Sequence, residues 1–175
     1  MKRLLIATTI GLSVLAAGCT GTTGTPTPTS GGTTTTSESA SGLEVVAQKP
    51  CELLTETEVT SLGIKSAGEA AKVGTAEGCD WNESGKGGLR VGIRTSSGLK
   101  DLSPGGESSP TKVGKYDAIK VEAPDGARGA CTYLIAVSES SSVSIIGSLG
   151  LTSTDTAAAC QRASKAADLI APKLP

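Results

Sequence analysis

Apolar positions along the chain fall into three regimes. Behind Lys2 and Arg3 runs an uncharged, mostly apolar stretch from Leu4 to Ala17. Residues 20–42 then hold ten Thr, five Gly, four Ser, two Pro, one Glu and one Ala, with no large apolar side chain. Dense apolar positions return only at Cys51, Leu53 and Leu54. Such a middle stretch has nothing to offset the entropy of ordering, so a folded domain is expected over 43–175 and a disordered tether before it.

Within the domain the spacing of apolar residues predicts the elements. Thr55 and Glu58 form a capping box, flanked by Leu54 and Val59 at the staple positions, which predicts a short helix from Glu56 to about Leu62 ended by Gly63. Cys79 and Trp81 share one strand face, as do Leu89, Val91 and Ile93, with Arg90 and Arg94 opposite; Ile119 and Val121 continue the two-residue period. The run from Cys131 to Val137 is apolar on both faces and reads as a central strand, joined by the polar turn Glu139–Ser142 to a hairpin partner over Val143–Leu149. A last helix is expected from about Asp155 to Ala171, capped by Thr154 or Asp155 and stopped by Pro172. Cys160, Ala163, Ala167, Ile170 and Leu174 line its buried face. Between Gly98 and Pro110 lies a polar, Gly/Pro/Ser-rich stretch read as a long mobile loop. The fold class implied is α+β: a mostly antiparallel sheet of about five strands with a short N-terminal and a longer C-terminal helix.

The start of the chain reads as an address. A basic pair, an apolar run too short to cross a bilayer, and Leu15-Ala16-Ala17-Gly18-Cys19 resemble a bacterial lipoprotein signal peptide with its lipobox. Ala16 departs from the commonest pattern, which has Leu, Val or Ile three residues before the cysteine. Cleavage after Gly18 would leave residues 1–18 as signal peptide and Cys19 as the lipidated N-terminus, stably held by two or three acyl chains. The 19–42 segment would then be a stalk spanning roughly 25 Å as a flexible coil, with Thr25-Pro26-Thr27-Pro28 as a candidate O-glycosylation stretch. The mature chain would carry 14 basic and 17 acidic residues, a net charge of −3, which gives no electrostatic reason to bind nucleic acid.

Composition removes several chemistries. With no His there is no His-based zinc site, no Ser-His-Asp triad and no Cys-His dyad, and one Trp, two Tyr and no Phe cannot tile a stacking platform for bases or sugars. Ser164 and Lys165 are helical neighbours that point apart, Lys86-Gly87-Gly88 lacks a phosphate-loop frame, and the acidic residues are scattered singly. No enzyme activity, metal or cofactor is expected. Cys51, Cys79, Cys131 and Cys160 form an even set in an exported chain and read as two disulfides. Three pairings are open; the one favoured joins Cys51 to Cys160, between the helical ends, and Cys79 to Cys131, between strands.

Taken together, Pro50-Cys51-Glu52-Leu53-Leu54-Thr55 with Glu58-Val59, Gly78-Cys79-Asp80-Trp81, Ala130-Cys131-Thr132-Tyr133 and the Cys160 helix ending Ala171-Pro172-Lys173-Leu174-Pro175 resemble actinobacterial envelope lipoproteins classed only as a domain of unknown function. The resemblance covers about residues 45–175, with the lipobox and stalk. It implies an exported, lipid-anchored, disulfide-bonded domain and transfers no activity. Two functions follow as expectations. The first is a non-catalytic module that docks an envelope protein or the cell wall. The alternative is a carrier holding a small apolar or lipid-like ligand between the sheet and the C-terminal helix.

Overall fold

The structure, a computed structural model, describes residues 36–175. The expected signal peptide, Cys19 and most of the expected stalk lie outside the described residues. Three α-helices and seven β-strands follow in chain order: α1 Thr36–Ala47, α2 Glu56–Ser61, β1 Glu69–Val73, β2 Ala76–Glu83, β3 Gly87–Arg94, β4 Glu107–Val113, β5 Tyr116–Glu122, β6 Ala130–Ser138, β7 Ser141–Ser148 and α3 Thr156–Ile170. The strands form one antiparallel sheet in the order β1-β2-β3-β7-β6-β5-β4. It consists of two meanders, β1 to β3 and β4 to β7, joined where β3 pairs with β7 in the register Val91 to Ile145.

One sheet face carries the core. Leu89, Val91, Ile93, Ile135, Val143 and Ile145 are fully buried there against Leu43 of α1, Val59 of α2 and Ala166, Ala167 and Ile170 of α3. Along each strand the alternate residues point to the other face, where Arg90 pairs with Asp80 and Arg94 donates to the Ser144 hydroxyl. α3 lies close to the sheet because its contact residues are alanines and its partner on β7 is Gly147. A methyl added there would sit 2.8 Å from the Ala159 carbonyl oxygen and 3.0 Å from the Ala163 nitrogen. At Gly147 the small residues serve close packing of α3 on β7.

The two helices predicted from capping chemistry form as read. Thr55 Oγ1 accepts from the Glu58 amide while Glu58 accepts from the Thr55 amide at 2.7 Å, and Gly63 takes φ +77° after α2. Asp155 caps α3 by accepting from the Ala158 amide at 2.9 Å.

Four expectations are corrected. The sheet has seven strands, not about five: β1 and β4 are largely exposed edge strands, and neither carries the run of large apolar residues at two-residue spacing that marks a buried face. Part of the expected loop at 98–110 is β4. The rest crosses the face opposite the helices to carry the chain from interior β3 to the far edge. It is tied there by Ser142 Oγ donating to Ser97 O at 2.7 Å and by the Asp125 amide donating to Gly105 O at 3.1 Å. α1 begins at Thr36, inside the expected stalk, because burial of Leu43 and Ala47 gives this segment a docking site that its composition does not announce. The cysteines pair as Cys51–Cys79 and Cys131–Cys160, with Cα separations of 5.0 and 4.8 Å. A Cys79–Cys131 bond is excluded by strand order: β3 and β7 lie between β2 and β6, which puts the two strands about 14 Å apart. Each strand cysteine instead meets the helical segment above it, the 3-10 turn Pro50–Leu53 over β2 and the first half of α3 over β6.

Candidate functional site

Three loops converge at one end of the sheet: the β2–β3 turn at 84–86, the β5–β6 connection at 123–129 and the β7–α3 connection at 149–155. They enclose a cleft of about 540 Å³. Its walls are largely backbone, because glycine lets the loops touch. A side chain at Gly87 would overlap Ser148 O and Gly150 N, both at 2.4 Å, and one at Gly129 would overlap Ser153 O at 2.5 Å. The Leu149 amide donates to Gly129 O at 3.0 Å, and Thr156 Oγ1 donates to Arg128 O, so the second and third loops are hydrogen-bonded to each other.

The β5–β6 connection is strained. Ala123 and Asp125 both take left-handed backbone conformations, at φ 45° and 52°, each at a cost of about 1–3 kcal/mol for a residue other than glycine. The Asp125 amide bonded to Gly105 helps hold this shape.

At the rim, Leu151 is fully exposed, one of three large hydrophobic side chains exposed among the described residues. Arg128 is exposed and has no ion-pair partner among them. Glu83, the other charged residue lining the cleft, and Arg162 behind it are committed. Glu83 accepts from the Lys65 amide at 2.5 Å and stands 3.5 Å from Lys86 Nζ; the Lys65 amide is the main cause holding its carboxyl below the ordinary value. Arg162 donates to Ser148 O behind the loops, and burial lowers its guanidinium pKa against the opposing pull of Glu83. What the cleft offers a ligand is an apolar side chain, the Arg128 guanidinium, which has no ion-pair partner among the described residues, the polar side chains of Asn82, Ser153 and Thr154, and backbone polar groups.

Among the described residues no three Cys, Asp or Glu side chains stand close enough to hold a metal ion. Several of the scattered acids have structural partners: Asp80 with Arg90, Asp117 with Lys112, Glu122 with Lys120, and Glu58 with Lys173. Trp81 is buried beside Cys79, as a core anchor. Cys51, Cys79, Cys131 and Cys160 are all consumed as disulfides, and Cys19 lies outside the described residues. Sequence reading missed Leu151 and Arg128. Arg128 stands in a polar, glycine-punctuated loop where no periodicity selects it, and Leu151, two residues after Leu149, looks like a continuation of the strand period.

No helix among the described residues is long and apolar enough to cross a membrane. No curated protein and no solved structure matches the chain. Residues 14–173 match the family described as Protein of unknown function (DUF3558), and over that span, nearly its whole length, the chain belongs to this family.

Proposed function

We propose that this chain is an exported, non-catalytic domain of the cell envelope, anchored through lipid on Cys19, which docks another envelope protein at the cleft between the three loops. The observation that carries the reading is the fully exposed Leu151 beside the cleft of about 540 Å³ between the three loops. A lone exposed leucine is ordinary on a surface. Here it stands in a loop held by glycine contacts and hydrogen-bonded to the neighbouring connection, which carries Arg128, without an ion-pair partner among the described residues, and that combination supports a binding role. The occupant that fits is an extended protein segment with one apolar side chain to cover Leu151 and a carboxylate to meet Arg128. The signal-like start, with Cys19 after small residues, supports the anchor.

One cellular experiment tests both parts. A photo-cross-linking amino acid is placed at position 151 in the full chain, with position 112 on the far edge strand as control. A discrete adduct with an envelope protein at 151, absent at 112 and reduced at least several-fold by Arg128→Glu, is expected. No adduct at 151, or equal adducts at both positions, rejects the docking cleft. In the same cells Cys19→Ser should release the protein from the membrane fraction; retention there rejects the lipid anchor.

A further inference from the structure

The sheet ends on both sides in a strand with a neighbour on one side only, β1 at one edge and β4 at the other. In each two-residue hairpin the pair next to the turn is hydrogen-bonded, Val73 with Ala76 and Val113 with Tyr116, and such pairs recur at every second residue. Ala70 and Lys72 therefore turn their N–H and C=O groups outward from β1, while Ser108, Pro110 and Lys112 are the outward residues of β4. In the middle of the β4 edge Pro110 has no N–H to offer, which blocks a further strand there. β1 has no such guard: it holds no proline, and its register to β2 is unbroken.

Every residue of β1 except Ala71 is exposed, and Val73 is one of three large hydrophobic side chains exposed among the described residues. The strand suits a two-fold axis through Ala71. Two antiparallel copies with Ala71 opposite Ala71 place Ala70 opposite Lys72 twice, so the outward groups of both chains form four hydrogen bonds. Small methyl groups meet at the axis, and no like charges stand directly opposite. On the face away from the helices Glu69 then stands opposite the exposed Val73 of the other copy, where its methylene groups can cover it. Moving the register by two residues toward the turn sets Lys72 against Lys72. Moving it the other way sets Val73 against Ala67, outside the strand.

We infer that β1 is a self-association edge, through which two copies of this chain pair antiparallel about Ala71 and join their two seven-stranded sheets. One five-residue strand from each copy buries less than the about 1,200 Å² of a standard stable interface, so the pair is reversible, with a dissociation constant of about millimolar order. No residue of β1 lines the cleft between the three loops, so the inference stands apart from the docking proposal and does not depend on it.

Cysteine trapping reads both the contact and its register. The full chain carries Cys19→Ser, so that the only free thiol is the one introduced, the other four cysteines being paired. Under mild oxidation Ala71→Cys should give a disulfide-linked dimer, since residues opposite each other in a pair of this kind stand about 4.5 Å apart at Cα, within disulfide reach. Thr111→Cys, the equivalent position on β4, measures chance collision and should link at least about fivefold less, because Pro110 guards that edge. A mixture of Glu69→Cys and Val73→Cys chains should link to each other several-fold faster than either links to itself. Ala70→Pro, which gives β1 the guard that β4 has, should suppress the Ala71→Cys dimer; the mixed-chain comparison needs no proline and decides the matter if that variant does not fold. The inference is overturned by equal linking at 71 and 111, or by mixed chains that show no preference for each other, either of which would leave the edge to a strand of a different protein.

Discussion

The two edges of the sheet are built from the same short phrase and put it to opposite use. Lys72-Val73-Gly74 ends β1 and Lys112-Val113-Gly114 ends β4; each leads into a two-residue turn, and five residues after each lysine stands an acid, Glu77 or Asp117. Both glycines take φ near +57°, at 59° and 56°, as tight hairpin turns of this length require. Both lysines pair with the acid across the hairpin. Yet Val73 is 50% exposed and Val113 only 2%. Val73 pairs with Ala76, on the face away from the helices, whereas Val113 pairs with Tyr116, on the helix face. The C-terminal residues then close over the second turn. Ala171 Cβ lies 3.4 Å from where a Gly114 side chain would begin, while Gly74 has no atom within 4 Å. A local phrase therefore specifies a hairpin but not which side of it is buried; register and the covering segment decide that.

Truncating the two valines is the largest expected contrast. Val113→Ala removes two buried methyl groups and leaves a cavity under the C-terminal turn, for a loss of about 2–3 kcal/mol. Val73→Ala removes the same atoms from solvent and should stay within about 0.5 kcal/mol of the parent. Urea midpoints of the two variants at unchanged slope measure the difference. Equal losses would mean that the edges are energetically alike and that the covering segment contributes nothing.

The same hairpins mark what the sequence made legible. Helix ends were readable because capping is local chemistry: Thr55, Glu58, Gly63 and Asp155 each act within four residues of themselves. Interior strands were readable because burial on one face imposes a two-residue period, as at Leu89, Val91 and Ile93. Edge strands bury little, so β1 and β4 show no such period, and only the repeated Lys-Val-Gly phrase with its following acid could have marked them. The disulfide partners depended on strand order, which no local pattern encodes: Cys79 and Cys131 look like strand neighbours until β3 and β7 are placed between them. Leu151 and Arg128 stayed silent for a related reason, since the cleft they border exists only once three loops distant in sequence converge.

Tyr116→Phe gives a smaller and more specific contrast. Its hydroxyl donates to Pro175 O at 2.6 Å, tying the β4–β5 hairpin to the C-terminal segment, while the corresponding residue of the other hairpin is Ala76, which makes no such bond. Loss of one partly buried hydrogen bond should cost about 1 kcal/mol. Hydrogen exchange should accelerate at the amides around Gly114 and leave those around Gly74 unchanged. Equal acceleration in both turns would show that the tie acts on the whole sheet and not on one edge.

Acid should separate the edges most gently. Glu58 on α2 accepts from Lys173 Nζ at 2.7 Å, and the same ammonium donates to Leu53 O at 2.6 Å, so this pair fastens the segment that covers Gly114. The bond from Lys173, then that from the Thr55 amide, holds the Glu58 carboxyl below its ordinary value of 4.5, against partial burial that pushes it up. A carboxyl whose folded value is depressed stabilises the fold above its unfolded value, and that contribution is lost as pH falls through the folded value. Wild type should therefore exceed Glu58→Gln in stability near neutral pH, by no more than about 1 kcal/mol for a pair this close to solvent, and the gap should shrink as pH drops below 4.5. A Val73→Ala background should leave that pH dependence intact, because the bare edge takes no part in it, whereas Tyr116→Phe, which loosens the same C-terminal segment, should reduce it. A gap that stays constant through the acid range would remove Glu58 from the fastening of the covered edge.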